Sequence, residues 1–493
     1  MPLAPVEVKR LAPALYVLSW ALMGFAFAFW VPLVWDGLGE GHRHAPVWLG
    51  CFAFSLASGL LLWLRNRRLA GELSVRDGFL LVSLVWLVLP AYAALPLYLV
   101  IPDLSWSQAY FEAMSGLTAT GATSLSGLDA LPTSINIWRC FLQLIGGLGI
   151  MLLAVAVLPF LGLGGLQIYR AEMPGPMKDT RLTPRIAETA RGLWIVYFVL
   201  SLACLLAYRA GGMNWADAFM HMCTTVGLGG LSSHDQSFGY WNSPMLEWTA
   251  VLFMALSGIS FARYFMVWRH RSLHPLTRDT EVRAYSLVLL VATGLVLGML
   301  VLEGVQPNTG TAARQAAFHV VSVATTTGFS TTDYQLWPSF VPVLLLLLGS
   351  FVSCAGSTGG GIKMVRMLVL LRVAQRELLR IIHPRVVHPV TLSGRPVSPN
   401  VLATVMAFML IYGGVMVVLT MVLLASGLDV VTAFSAIIAC LNNIGPGLGQ
   451  VGPAGNYGVF NDFQVAVCAL AMLLGRLELL SVLVLLTPQF WRR

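Results

Sequence analysis

Apolar runs recur along the whole chain, separated by short polar connections. About 20 consecutive apolar residues suffice to cross a bilayer as a helix. The runs predict ten spanning helices, near residues 11–35, 46–64, 78–100, 137–163, 190–209, 245–268, 283–303, 338–376, 400–426 and 461–487. A glycine-rich stretch interrupts the eighth, whereas the runs at 137–163, 245–268 and 461–487 look continuous. No polar segment is long enough to fold as a separate soluble domain. The pattern predicts an all-α polytopic membrane protein.

After the third, fifth, seventh and ninth spans comes a moderately apolar segment too short to cross. Each opens with a small residue and an aromatic: Ala109-Tyr110-Phe111, Ala218-Phe219, Ala317-Phe318 and Ala433-Phe434. Each ends in Gly, Thr or Asn. A short apolar helix followed by irregular backbone, set between two spans, is the pattern of a re-entrant pore loop. From Phe to a glycine is ten residues in the first and third (Phe111 to Gly121, Phe318 to Gly328) and eleven in the second and fourth (Phe219 to Gly230, Phe434 to Gly445). The second and third also share a tail, Gly230-Leu-Ser-Ser-His-Asp235 and Gly328-Phe-Ser-Thr-Thr-Asp333. The unit of span, pore loop and span therefore occurs four times, over residues 71–165, 166–270, 271–385 and 386–493, behind two extra spans in 1–70. Repeats of like topology are related by an axis along the membrane normal. A pseudo-fourfold arrangement around one pore is expected.

Composition agrees, with 57% hydrophobic and only 11% charged residues, too few charges for the surface of a soluble domain of this size. The 30 Lys and Arg exceed the 22 Asp and Glu by eight, which in a soluble protein would raise nucleic acid as a partner. Here the cations sit in short loops, and no basic-aromatic surface motif accompanies them. Arg65, Arg67, Arg68 and Arg76 follow the second span; Arg170, Lys178, Arg181, Arg185 and Arg191 follow the fourth; Arg269, Arg271, Arg278 and Arg283 follow the sixth; Arg372, Arg376, Arg380, Arg385 and Arg395 follow the eighth; Arg492 and Arg493 end the chain. The positive-inside rule makes that side cytoplasmic, with both termini inside and no nucleic acid bound. Lys9 and Arg10 precede the first run without a cleavage site of the usual kind, so it reads as a spanning helix rather than a signal peptide. The seven scattered cysteines contain no C-x-x-C pair and read as small hydrophobes.

The chemistry concentrates at the loop ends: Thr118-Ala119-Thr120-Gly121, Gly227-Leu228-Gly229-Gly230, Thr325-Thr326-Thr327-Gly328 and Asn442-Asn443-Ile444-Gly445. Few of these side chains would hold a metal, but their backbones would. Potassium filters use rings of carbonyl oxygens that replace the ion's hydration shell, and glycine reaches the backbone angles this needs. The alternative is a set of tight helix-capping turns. The C-terminal end of each pore helix, carrying about half a negative charge, would add to cation binding. No acidic ring is present, which argues against a calcium-type pore. The second loop also contains Thr225-Val226-Gly227-Leu228-Gly229, near the T-V-G-Y-G of potassium channels. That register conflicts with the shared tail, which sets Gly230 opposite Gly328.

The eighth span holds Gly356, Ser357, Thr358, Gly359, Gly360 and Gly361, then Ile362 and Lys363. It is no phosphate loop, because Ile362 separates the last glycine from Lys363 and Met364 follows. Such a stretch inside a span must be buried or line water, as a gate below the filter or as a simple kink. Arg476 and Glu478 lie in the last span. Arg476 is either a cation barrier in the pore or a partner of Glu478 or another acid, and Lys363 and Arg366 add charge at a similar level. His221 and His319 read as packing residues, since no metal spacing occurs. Asp235 and Asp333 belong at the outer mouth, attracting ions or capping loops.

These residues resemble the membrane subunit of Trk-type potassium uptake systems, in the Trk/Ktr/HKT superfamily. The matching stretches are Phe111 to Thr123, Tyr169 to Pro176, Thr326-Thr-Gly-Phe329, Gly356 to Lys363 and Cys440 to Gly449. The two extra N-terminal spans look like the Trk branch. The resemblance implies potassium as the transported ion without an organic cofactor, a homodimer with one pore per subunit, and a bacterial inner-membrane location. It implies a cytosolic nucleotide-binding (NAD/ATP-type) regulatory subunit resembling TrkA. It implies filter roles for Ala119 to Gly121, Leu228 to Gly230, Thr326 to Gly328 and Asn443 to Gly445, and an intramembrane gate at Gly356 to Gly361 near Arg476. In the HKT branch a Ser at the first-loop glycine accompanies sodium permeation; all four positions here are Gly, which favours potassium. Ala119 and Leu231 depart from the commoner Thr and Phe. The rival within transport is a sodium or nonselective cation pathway. The rival from another class, a membrane ATPase, lacks its nucleotide motif and catalytic acids.

Overall fold

The computed structural model describes residues 5–39, 41–68, 74–156, 182–306 and 308–492. Arg170, Lys178, Arg181, the stretch Tyr169 to Pro176 and the boundaries expected at 70/71 and 165/166 lie outside them.

The chain is helical, and among the described residues its strands are Thr391–Leu392 and Arg395–Pro396, which pair antiparallel. Seven helices are long and apolar enough to cross a bilayer, or nine if two bent pairs each count as one. The expected eighth span is a 12-residue helix, Phe340–Phe351, followed by a loop and then Met364–Ile382. That reconciles the count with the ten apolar runs. The helices are apolar on the outside. Only 22% of the most apolar window of Pro399–Ala425 is buried, and Leu410 on it is 79% exposed. In water such a surface would be untenable, so its solvent is lipid. The chain is a membrane protein.

Two runs expected to be continuous are broken. Pro244–Ser257 and Phe261–His270 meet at 83°, and Asp462–Arg476 meets Leu480–Leu486 at 103°. A break frees backbone carbonyls that must find donors inside a membrane. In the second repeat Tyr285 donates to the Ala255 carbonyl (2.8 Å), Tyr264 to that of Leu256 (2.7 Å) and the Cys354 N–H to that of Gly258 (3.1 Å). In the fourth, Glu478 and Leu479 take left-handed backbone (φ 55° and 48°), and the Leu479 N–H returns to the Leu474 carbonyl at 2.8 Å. Ile259, Leu477 and Leu479 keep the sequence apolar across both breaks, which hides them from a hydropathy reading.

The four pore helices are Trp106–Leu117, Trp215–Val226, Thr309–Ala324 and Val430–Leu441. Each starts at a residue that caps a helix well. Ser105 forms a capping box with Gln108; Asn214, Asn308 and Asp429 accept from the N–H groups of Asp217, Gly310 and Thr432. Two hydrophobic clusters flank them. One holds Phe238, Phe318 and Leu345 of the second and third units, the other Trp48, Trp138, Phe111 and Tyr457 of the N-terminal, first and fourth.

Candidate functional site

The pore helices all end in the same way. Thr118, Gly227, Thr325 and Asn442 are the C-caps. The next residues, Ala119, Leu228, Thr326 and Asn443, have φ of 50°, 52°, 63° and 55°. The N–H groups of Thr120, Gly229, Thr327 and Ile444 then return to the carbonyls of Ser115, Thr224, Ser322 and Ala439 at 2.8–2.9 Å. This is a Schellman closure, usually built on glycine, made here with side chains at the left-handed position. Two residues later the chain turns left-handed again at Gly121, Gly230, Gly328 and Gly445, with φ of 85°, 75°, 87° and 98°. The helix cap and the irregular loop are therefore one structure. They also settle the register of the second loop, because Gly230 and not Gly229 has the backbone of Gly121, Gly328 and Gly445.

The four loop ends close a ring. A methyl group on Gly121 would fall on the Gly229 carbonyl oxygen, one on Gly230 on that of Thr327, and one on Gly328 on that of Ile444. One on Gly445 would meet the carbonyls of Thr120 and Gly121. Each glycine lies against the carbonyl before the next, in the cyclic order one, two, three, four, one. Both the left-handed backbone and the close approach exclude a side chain. The Asn443 amide donates to the Thr120 hydroxyl at 2.9 Å, joining the fourth loop to the first. All four glycines line one cavity of about 80 Å³.

A second layer of residues holds the ring from behind; sequence reasoning singled out its two histidines but not Glu112. Glu112, His221 and His319 each precede their ring glycine by nine positions. Glu112 accepts from the N–H of Ser124 (2.7 Å) and Leu125 (3.2 Å) and from the Thr123 hydroxyl. His221 meets the Ser232 hydroxyl at 3.0 Å, and the Thr331 N–H reaches His319 Nε2 at 3.3 Å. The two histidines are packed, as expected, and also tether the tails of their own loops. Glu112 pairs with Arg139 at 3.4 Å, both fully buried. Arg139 was findable by the rule that flagged Arg476: an ionisable group inside a span. Tyr457 donates to the Gly445 carbonyl at 2.9 Å, and Gln143 donates to that of Gly229 at 2.8 Å.

Asp235, which lines the cavity at the ring glycines, accepts the Leu128 N–H at 3.1 Å and Asp333 accepts that of Gln335 at 3.1 Å, so both cap loops. His234 bridges two units. Its Nδ1 bonds Asp129, its Nε2 lies 3.5 Å from Asp217 as an ion pair rather than a hydrogen bond, and its ring stacks on Tyr240. Burial disfavours the imidazolium, but the flanking Asp217 and Asp129 carboxylates outweigh it and hold the His234 pKa above its ordinary value.

Beneath the ring lies the loop from Val352 to Lys363. The Gly360 N–H donates to the Thr326 hydroxyl at 2.7 Å, and the Thr358 hydroxyl to the Val226 carbonyl at 2.9 Å. Gly356 accepts from the Phe261 N–H at 3.0 Å, which ties this loop to the break in the second unit. A Cβ on Gly359 or Gly360 would collide with Ser353 or with the Asn442 carbonyl. Ser357 and Thr358 are buried, and Lys363, at φ 78°, folds its ammonium back onto the Gly359 carbonyl. Arg476 is 2% exposed and does not pair with Glu478, which binds Arg366 instead. Its guanidinium donates to the carbonyls of Thr358 (2.9 Å) and Gly146 (3.1 Å), crosslinking the loop to the first unit.

Known proteins share this arrangement of the chain. A family profile described as TrkH, cation transport protein, matches residues 44–493. The chain belongs to the TrkH family. Trk system potassium uptake protein TrkH of Salmonella typhimurium is 45% identical over 458 residues, 93% of each chain. Trk system potassium uptake protein TrkI of Halomonas elongata is 34% identical over 490 residues, 99% of this chain and 98% of its own. The crystal structure of the potassium transporter TrkH from Vibrio parahaemolyticus superposes with a TM-score of 0.91 at 39% identity, covering 98% of this chain and 99% of that one. The TrkH family is one of cation transporters, not of enzymes.

Proposed function

We propose that this chain is the translocating subunit of a Trk-type potassium uptake system in a bacterial inner membrane. The observation that carries the reading is the closed ring of four capped helix ends, each presenting left-handed glycine backbone to the next loop's carbonyl. Potassium, the transported substrate, enters from the outer cavity and exchanges its water for backbone oxygens of Ala119 to Gly121, Leu228 to Gly230, Thr326 to Gly328 and Asn443 to Gly445. The partial negative charge of four helix C-termini offsets the cost of dehydration. The membrane potential drives accumulation, at about 2.3 kcal/mol per charge per 100 mV. No organic cofactor takes part.

The loop from Gly356 to Gly361, with Lys363 and Arg476, is the gate. Its position against Thr326 and Val226 supports that role. The clustered arginines support a cytoplasmic side that carries both termini. The Trk system named for the relatives supports partnership with other Trk components. We assign these as a second copy of this chain and a nucleotide-binding regulatory subunit resembling TrkA. The repeat boundaries are as given from the sequence, 71–165, 166–270, 271–385 and 386–493.

The test is rubidium and sodium uptake into vesicles holding the purified chain, driven by an inside-negative potential. Rubidium uptake well above sodium is expected. Equal uptake would replace potassium selectivity by a nonselective monovalent pathway, and no uptake of either ion would remove the transport reading.

A further inference from the structure

The residue before each ring glycine differs between loops. In the first and third it is Thr120 and Thr327, whose hydroxyls pair with those of Thr118 (2.7 Å) and Thr325 (2.8 Å). Those hydroxyls in turn donate to carbonyls of their own pore helices, Met114 and Val321, both at 2.7 Å. In the fourth the residue is Ile444, fully buried. The second loop has Gly229 there and Gly227 two before, so it has no side chain at either position. With three glycines among its last four residues it also costs the most backbone freedom to order.

Gln143, on the first-unit span Thr133–Ala156, occupies the missing space. It is fully buried, and a Cβ on Gly229 would land on its side-chain amide. Its Nε2 donates to the Gly229 carbonyl at 2.8 Å, and its Oε1 accepts the Leu231 N–H at 3.2 Å. One planar amide therefore holds the peptide groups on both sides of Gly230. The orientation is unambiguous, because one partner only accepts and the other only donates. Among the described residues no side chain donates to the carbonyls of Thr120, Thr327 or Ile444.

We infer that Gln143 is a positioning residue for ion selectivity, supplying in trans the brace that Thr120 and Thr327 supply to their own loops. Without it the peptides flanking Gly230 rotate freely, and the ring accepts a smaller ion's geometry. The inference rests on the ring being the selectivity filter.

The experiment measures rubidium against sodium uptake in vesicles for Gln143→Leu, Gln143→Glu, Gly229→Thr and the double variant Gln143→Ala with Gly229→Thr. Gly230→Ser serves as a control on the filter itself. Gln143→Leu should lower the rubidium-to-sodium ratio about tenfold, the order expected for losing one to two net hydrogen bonds, through a rise in sodium uptake. Gln143→Glu retains the acceptor for Leu231 but sets a carboxylate against the Gly229 carbonyl, and should lose at least as much. Gly229→Thr alone collides with Gln143 and should lose uptake of both ions. The double variant refills the vacated space with a threonine side chain at position 229, without a hydroxyl partner at Gly227, and should recover uptake and part of the discrimination. Equal reduction of both ions by Gln143→Leu, or no recovery in the double variant, would reduce Gln143 to a packing residue and overturn the inference. If Gly230→Ser lowers the ratio while Gln143→Leu does not, the brace fails and the filter stands. If neither changes the ratio, the filter assignment itself fails.

Discussion

Ala119, Leu228, Thr326 and Asn443 hold backbone that costs a residue with a Cβ about 1–2 kcal/mol. Strain at four equivalent positions persists only where the surroundings over-determine it. Here each is locked between a helix cap and a glycine that faces the neighbouring loop. Ser in place of Gly121, Gly230, Gly328 or Gly445 must meet both the backbone penalty and a collision with a carbonyl. Each change should reduce potassium-over-sodium discrimination, by about tenfold on that energy scale; unchanged permeability ratios in all four would refute the assignment. His234 gives a pH dependence. Its pKa is raised by Asp217 and Asp129 against the effect of burial, so its stabilisation is complete below the ordinary histidine pKa of about 6.5. It is lost as pH rises through the raised value. Thermal midpoints of the native chain and His234→Gln should differ at pH 6 and converge towards pH 9. A difference independent of pH would mean the imidazolium contributes nothing. Both aspartates that flank it are visible in the sequence, but their meeting is not, since Asp129 lies 105 positions from His234.

At the scale of elements, the second spans of the second and fourth units are also broken, so among the described residues the break at Gly356 to Gly361 is not unique to the third unit. What distinguishes it is its place under the ring and its crosslinks. Glu281 accepts the N–H groups of Ala355 (2.8 Å) and Val365 (3.1 Å), one on each side of the loop. Arg476 fastens the middle. Removing Arg476 frees the Thr358 carbonyl and takes a buried positive charge from the loop beneath the ring. Arg476→Ala, and deletion of Gly356 to Gly361, should each raise basal rubidium flux while largely preserving selectivity; lower or unchanged flux from folded versions of both would make the loop a kink. The pair behind the first loop behaves differently. Glu112→Gln or Arg139→Met leaves its partner charged and buried, at a cost of about 3–5 kcal/mol. The thermal midpoint in detergent should fall clearly for either variant. A loss no larger than that of an exposed pair would show that water reaches this site.

At the scale of the molecule, two hydrophobic clusters pack the units together, and the Trk system named for the relatives points to partner components. A nucleotide-binding subunit should therefore co-purify and change the flux; a flux indifferent to that subunit under every nucleotide condition would refute the partnership. The sequence by itself determined the membrane class, the four short helices and their glycines. Each of these follows from local chemistry: apolar length against bilayer thickness, and a backbone angle only glycine takes freely. The tertiary structure alone decided how loops meet. The register at Gly230, the brace from Gln143, the Glu112–Arg139 pair and the Arg476 crosslink all join residues far apart in the chain, where periodicity carries no signal. The bends at Ile259 and at Leu477 to Leu479 were hidden for a related reason. Hydropathy registers that a run is apolar, whereas a bend depends on which distant tyrosine or backbone amide stands ready to take the freed carbonyls.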